Sequence, residues 1–231
     1  MAHLIFDGEN DYVEIADSPD FSVGPEGLAV SAWMRPDALT FPWEEGQGGR
    51  GYVHWLGKGE GNHQEWTFRM YGQDNSEGRG NRISFYVFNP SGGQGVGSYF
   101  QDPIQTGEWI HVVGSADSTR THIYRDGVLR DSDRYADTIS PEHGTAPLRI
   151  GTRDFRSFFQ GAIGEMRIWR RALTAEEVAD LHATGKVPEE SLVAEFLDNV
   201  VTAGPSNPRY GAIFGATCSD PNPRVVARHM P

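Results

Sequence analysis

Arginine, tyrosine and histidine recur at alternate positions in the first half of the chain, a combination suited to holding sugars. His54 and Trp55 stand side by side, while Arg69 and Tyr71, then Arg82 and Tyr86, occupy the polar side of two alternating runs. Sugar rings have apolar faces that stack on aromatics and hydroxyl rims that accept forked hydrogen bonds. These six residues form the candidate ligand set. The competing account is a solvated sheet face, where Arg and Tyr are common, with a tryptophan such as Trp33 or Trp55 in the core.

The same residues bear on catalytic alternatives. A glycosidase needs two carboxyl groups flanking the scissile bond, one with a raised pKa. Glu44-Glu45 and Glu176-Glu177 are adjacent pairs whose alternation is wrong for a shared strand face. A polysaccharide lyase needs a base such as His or Tyr and a cation to neutralise the uronate carboxylate. His54, His63, Arg69, Tyr71, Arg82 and Tyr86 supply those types. There is no Gly-x-Ser-x-Gly elbow and no Cys/His spacing for zinc. The Gly-rich stretches at residues 46–51 and 91–95 lack the Gly-Lys-Ser/Thr ending of a phosphate loop and read as connections or rim loops.

Composition narrows the partners. The 231 residues carry a formal net charge of -12, which works against nucleic acid or an anionic membrane as the main partner, although a local basic patch is compatible with it. With one cysteine, Cys218, no disulfide forms within the chain, so ordinary apolar packing must supply stability. No apolar run approaches the ~20 residues of a membrane span. The first residues lack the basic start and apolar run of a secretory signal.

The elements that must position the candidates are strands. Trp66, Phe68 and Met70 share one face of a period-two run, as do Ile83, Phe85 and Val87. Similar runs cover residues 28–34, 109–116 and 161–169. Asp126-Gly127 between apolar stretches signals a hairpin, because the pair tolerates the positive φ of a tight turn. Thr174-Ala175-Glu176-Glu177 is a capping box that starts a short helix near residues 174–184, with Gly185 as its stop. The expectation is an all-β, two-sheet antiparallel jelly-roll sandwich with that one helix, folded as a single domain over residues 1–231.

Several landmarks in order resemble the laminin-G-like/pentraxin branch of the concanavalin A-like lectin/glucanase superfamily. They are Leu4-Ile5-Phe6-Asp7-Gly8, Val30-Ser31-Ala32-Trp33, Leu56-Gly57-Lys58-Gly59, Trp109-Ile110-His111-Val112-Val113, Tyr124-Arg125-Asp126-Gly127 and Gly161-Ala162-Ile163-Gly164-Glu165. Strand-like segments within residues 191–217 look like those that open the domain in this family, so they either close the same sandwich in permuted order, the preferred reading, or begin a truncated second repeat. The resemblance implies a calcium ion near the Asp7 loop, with Asp7, Asn10, Asp11 and Glu165 as oxygen ligands. Gly164 stands where the family usually has aspartate, which removes one ligand. His111 falls in the family's Trp-x-His and reads as structural.

The reading that results is a carbohydrate-binding, lectin-like module recognising an oligo- or polysaccharide on a sheet face or rim loops. The alternatives are a polysaccharide lyase or glycoside hydrolase on the same jelly roll, or a protein-interaction or adhesion domain. The resemblance implies an extracellular or cell-surface setting.

Overall fold

The computed structural model describes residues 3–41, 51–61, 63–90, 94–197, 200–203 and 212–218. Glu44, Glu45 and most of both Gly-rich stretches lie outside them. Among the described residues, two antiparallel sheets form a sandwich with one short helix.

The strands are β1 (His3–Asp7), β2 (Tyr12–Ile15), β3 (Leu28–Pro36), β4 (Tyr52–Glu60), β5 (His63–Tyr71), β6 (Arg82–Phe88), β7 (Gly95–Gln101), β8 (Ile110–Ala116), β9 (Arg120–Arg125) and β10 (Val128–Arg134). After these come β11 (Leu148–Ile150), β12 (Gln160–Trp169), the helix α1 (Ala175–Thr184), β13 (Leu192–Leu197), β14 (Val200–Ala203), β15 (Ala212–Phe214) and β16 (Thr217–Cys218). The first sheet runs β10-β9-β8-β3-β12-β1-β16, with β13 on β12 and β14 on β13. The second runs β15-β2-β11-β4-β5-β6-β7.

The inner faces are the ones the alternation predicts. Leu28, Val30, Ala32 and Met34 of β3 meet Trp66, Phe68 and Met70 of β5 and Ile83, Phe85 and Val87 of β6 in one buried core. Phe68 and Phe85 lie 4.9 Å apart. Gly114 on β8 sits directly above them: a Cβ there would fall 2.4 Å from Phe85 Cγ. The glycine is what lets both rings reach the centre of the sandwich.

The other face of β3 and β8 receives the helix. Ala29, Val113, Tyr124, Trp169 and Leu173 pack with Val178 and Leu181 of α1 in a second cluster. The capping box is present in both directions: Glu177 N–H donates to Thr174 Oγ1 at 3.2 Å and Thr174 N–H to the Glu177 carboxylate at 2.9 Å. Gly185 closes the helix in the left-handed region. Asp126 and Gly127 both have positive φ, as a two-residue hairpin turn requires.

One edge of β12 is shared. β1 pairs along Gln160–Gly164, and β13 pairs from Met166 onward. The changeover is a bulge at Glu165, whose φ is 21°. Further on, β15 lies on β2 and β16 on β1.

Under α1, the rings of His111, Trp33 and His182 pack as a triangle, with centroids 5.0 Å (Trp33–His111), 5.5 Å (His111–His182) and 5.6 Å (Trp33–His182) apart. Burial, reinforced by His182, pushes the His111 imidazole down to about 4. His54 is also pushed well below the ordinary imidazole range, by its burial and then by Arg153, Arg69 and Arg156. Unfolding releases both to an ordinary pKa near 6.5, so the unfolded chain binds more protons below that pH. The His111 contribution is full above pH ~6.5 and is lost as pH falls toward 4, at about 1.4 kcal/mol per pH unit, and His54 acts in the same direction. Urea midpoints measured at intervals between pH 7 and 4 are expected to fall steadily, and the fall is expected to lessen in His111→Phe.

Candidate functional site

The outer face of the second sheet is built from the residues that alternate with the core. Cross-strand pairing puts Tyr52 beside Tyr71, His54 beside Arg69, Arg69 beside Ser84, and Ser84 beside Tyr99. The result is a continuous row, His54–Arg69–Ser84–Tyr99, across β4 to β7. Arg82 and Tyr86 flank Ser84 along β6, on the same side.

Arg69 is the centre of this face. Its guanidinium carbon lies 4.5 Å from the Tyr52 ring centroid, 5.3 Å from Tyr86 and 5.7 Å from Tyr71. Its Nε donates to His54 Nε2 at 3.3 Å, and one terminal nitrogen donates to Tyr71 Oη at 2.9 Å. His54 therefore presents an unprotonated Nε2, consistent with its lowered pKa. Arg69 has no carboxylate partner among the described residues. Burial alone would raise the Tyr71 phenol, but Arg69 and Arg79, both hydrogen-bonded to it, bring it below its usual value. Tyr86 goes the other way, raised mainly by burial.

Ser84 makes the floor. It is fully buried, and its Oγ has no hydrogen-bond partner among the described residues. Tyr86 leans over Gly97, where a Cβ would collide with its ring at 2.5 Å. Arg82 reaches the rim, with its guanidinium 3.8 Å from the Tyr99 centroid and donating to Gln101 Oε1. Residues 152–158 border the row at β4, where the Ser157 hydroxyl accepts from His54 N–H at 3.2 Å.

Five of the six proposed ligand residues thus share one face: His54, Arg69, Tyr71, Arg82 and Tyr86. Arg69, Arg82 and Tyr86 are partly exposed, while His54 and Tyr71 are buried behind Arg69. Trp55 does not join them. Alternation from the outward His54 points Trp55 inward, and the bulge that follows turns Leu56 inward as well; the indole packs 4.8 Å from Phe68 with no exposed surface. His63 begins β5, opposite Glu60 and far along the strand from Arg69. Tyr52, Arg79, Arg153 and Arg156 were missed. Tyr52 could have been found by extending the alternation of β4 outward, whereas Arg79 lies in the irregular turn between β5 and β6. Arg153 and Arg156 sit in an irregular loop that periodicity does not reach.

The expected calcium set is divided. Asp7 pairs with Gln160 and His3 with Gly164, so Glu165 lies past the opposite end of β1 from Asp7. There its carboxylate accepts from Arg167 at 3.4 Å. Asp7 itself caps the turn by accepting from Glu9 and Asn10 N–H, which lowers its pKa, and Asp11 accepts from Asp7 N–H at 2.9 Å. Burial raises the Asp11 carboxyl, and Gly215 closes over it so tightly that a Cβ would lie 1.9 Å from its Oδ1.

Another group is compatible with a cation. Asp17, Glu65 and His143 offer ligand atoms within 4.8 Å of one another. The chain already places a positive charge among them. Lys58, fully buried, lies 2.7 Å from Asp17 Oδ1 and donates to Glu65, while Ser22 Oγ donates to the other Glu65 oxygen at 2.5 Å.

The profile of the Laminin_G_3 family, described as the concanavalin A-like lectin/glucanases superfamily, matches residues 7–179. No curated protein matches the chain. Among solved structures, a heptameric SAP-like pentraxin from Limulus polyphemus is similar at 14% identity and a TM-score of 0.63, with 94% of each chain covered. A proposed carbohydrate-binding protein from Bacteroides ovatus gives 16% identity and a TM-score of 0.66 over 98% of this chain and 62% of that one. The binding domain of botulinum neurotoxin serotype G gives 16% and 0.56 over 78% of this chain and 42% of the other. At these identities the likeness is one of fold.

Proposed function

The chain belongs to the concanavalin A-like lectin/glucanase superfamily, and from that premise we propose that it is a carbohydrate-binding module whose ligand lies across the outer face of the seven-stranded sheet. The observation that carries this reading is Arg69, held among Tyr52, Tyr71 and Tyr86 above the unsatisfied hydroxyl of Ser84. A planar donor fixed between aromatic faces suits the edge-and-face chemistry of a sugar. The fold-level likeness to the Bacteroides ovatus protein supports the same reading. An extracellular or cell-surface setting is part of the proposal. So is closure of one sandwich by residues 191–217, which the pairing of β15 with β2 and β16 with β1 supports.

A second reading is favoured by one observation. Tyr71, its phenol lowered by two arginines, and the neutral imidazole of His54 both hydrogen-bond to Arg69, and they are the acid and base types that β-elimination from a uronate needs. Calorimetry with a polysaccharide panel, read together with the appearance of unsaturated or reducing ends, separates the two. Saturable binding without new ends is expected. Turnover would replace the binding module with a lyase or hydrolase.

Calcium is the other separable element. Since Lys58 supplies the charge that Asp17 and Glu65 neutralise, chelator is expected to leave both the melting temperature and glycan affinity unchanged. A calcium-dependent rise in melting temperature would instead assign the ion to Asp17, Glu65 and His143, or to the Asp7 loop. Asp17→Asn and Asp7→Asn distinguish those positions.

A further inference from the structure

Resting on that reading, we propose that the saccharide is acidic, a uronate polymer whose carboxylate is bound by Arg69 with Arg79 and Arg82 at the rim.

The argument begins with charge. The chain is strongly acidic overall, at -12. Yet the charged groups acting on His54 are Arg153, Arg69 and Arg156, and those acting on Tyr86 besides Tyr71 are Arg69, Arg79 and Arg82. Two of these arginines carry a carboxylate, Arg153 on Asp154 and Arg79 on Glu77, while Arg69 and Arg82 have none among the described residues. The centre of the face is therefore positively charged on a negative protein, and such a centre draws an anion toward one place.

Arg69 has donor capacity to spare. Its Nε is used on His54 and one terminal nitrogen on Tyr71; the other terminal nitrogen makes no hydrogen bond among the described residues. Among the described residues Arg82 hydrogen-bonds only to the neutral Gln101 amide and lies over the Tyr99 ring, and Arg79 is split between Tyr71 Oη and an outlying Glu77 at 3.3 Å. A half-buried guanidinium stacked by three rings and lacking a counter-ion is costly unless an anion completes it.

Ser84 supplies an independent observation. Its buried Oγ, beside Arg69 and between Arg82 and Tyr86, lacks a partner among the described residues. It has no exposed surface, so it donates to a carboxylate oxygen bound by Arg69 only once the side chains covering it move aside. The fixed plane of the guanidinium favours a carboxylate, and a lysine would not replace it.

The test uses the full chain and matched polymers. Calorimetry is run with polygalacturonate, polymannuronate, polyguluronate and polyglucuronate, each beside its carboxyl-reduced neutral counterpart, and with dextran sulfate. At least one uronate polymer is expected to bind at least tenfold tighter than its reduced form, with affinity falling as salt rises. Arg69→Gln is expected to weaken that binding at least tenfold, and Arg69→Lys not to restore it. Arg82→Gln, at the rim, is expected to weaken it with no change in melting temperature, which guards against a folding defect in the Arg69 variants. Equal binding of reduced and acidic polymers would overturn the inference and leave the carbohydrate-binding reading in place. Dextran sulfate binding as tightly as the uronates, unaffected by Arg69→Gln, would reduce the face to general anion attraction. Binding of none of these polymers, neutral or acidic, would overturn both.

Discussion

Lys58→Met is expected to lower stability by about 3–5 kcal/mol, the usual cost of removing one partner from a buried ion pair. Lys58 is fully buried on β4, and Glu65 beside it is 1% exposed. Without the ammonium, Glu65 keeps only Ser22 Oγ, and its enclosure is tight: a Cβ on Gly144 would lie 2.9 Å from its Oε1. Asp17 loses the partner 2.7 Å away. For a chain of this length the melting temperature is expected to drop by roughly 10 °C. Lys58→Met combined with Glu65→Met removes both charges and is expected to recover much of the loss, as replacement of buried pairs by apolar groups often does. A double variant no more stable than Lys58→Met alone would mean that the lysine acts mainly on Asp17.

Phe85→Ala is expected to cost about 3–5 kcal/mol by leaving a cavity at the centre of the sandwich. Phe85 lies 4.9 Å from Phe68 and 6.3 Å from Trp66, and Gly114 of the facing sheet presses on its ring. Gly114→Ala creates the opposite fault, overpacking, at about 1–3 kcal/mol. The two sites touch, so their effects are not expected to add. Gly114→Ala with Phe85→Leu is expected to be more stable than the sum of the single variants predicts, measured by urea denaturation. Simple additivity would show that the ring moves aside freely, contrary to close packing.

The sandwich was legible because an apolar inner face and a polar outer face impose a period of two on β5 and β6. The same rule identified Arg69, Tyr71, Arg82 and Tyr86 as outward residues. Applied to β4, it places Trp55 in the core beside an outward His54, so those neighbours could not share one ligand face; only Leu56, turned inward by one extra residue, escapes the alternation. The helix was readable from Thr174, Glu177 and Gly185, because a capping box acts within four residues. Lys58 was visible only as part of a Leu-Gly-Lys-Gly landmark. Its partners Asp17 and Glu65 and the neighbouring Ser22 and His143 come from separated segments, with Ser22 and His143 121 positions apart. No local pattern announces such a cluster. The calcium expectation divided for a related reason: sequence proximity gathers Asp7, Asn10 and Asp11, but antiparallel register carries Glu165 to the far end of β1.

The sharing of β12 by β1 and β13 has a consequence for how the chain is made. β1 finds its partner only at residues 160–164, and β13 joins the same edge some thirty residues later. At ordinary synthesis rates, β1 leaves the ribosome on the order of ten seconds before that partner does. Throughout that interval its exposed edge is open to the wrong neighbour. A chaperone that shields the emerging N-terminal segment is therefore expected to raise the yield of folded protein more than one that acts after release.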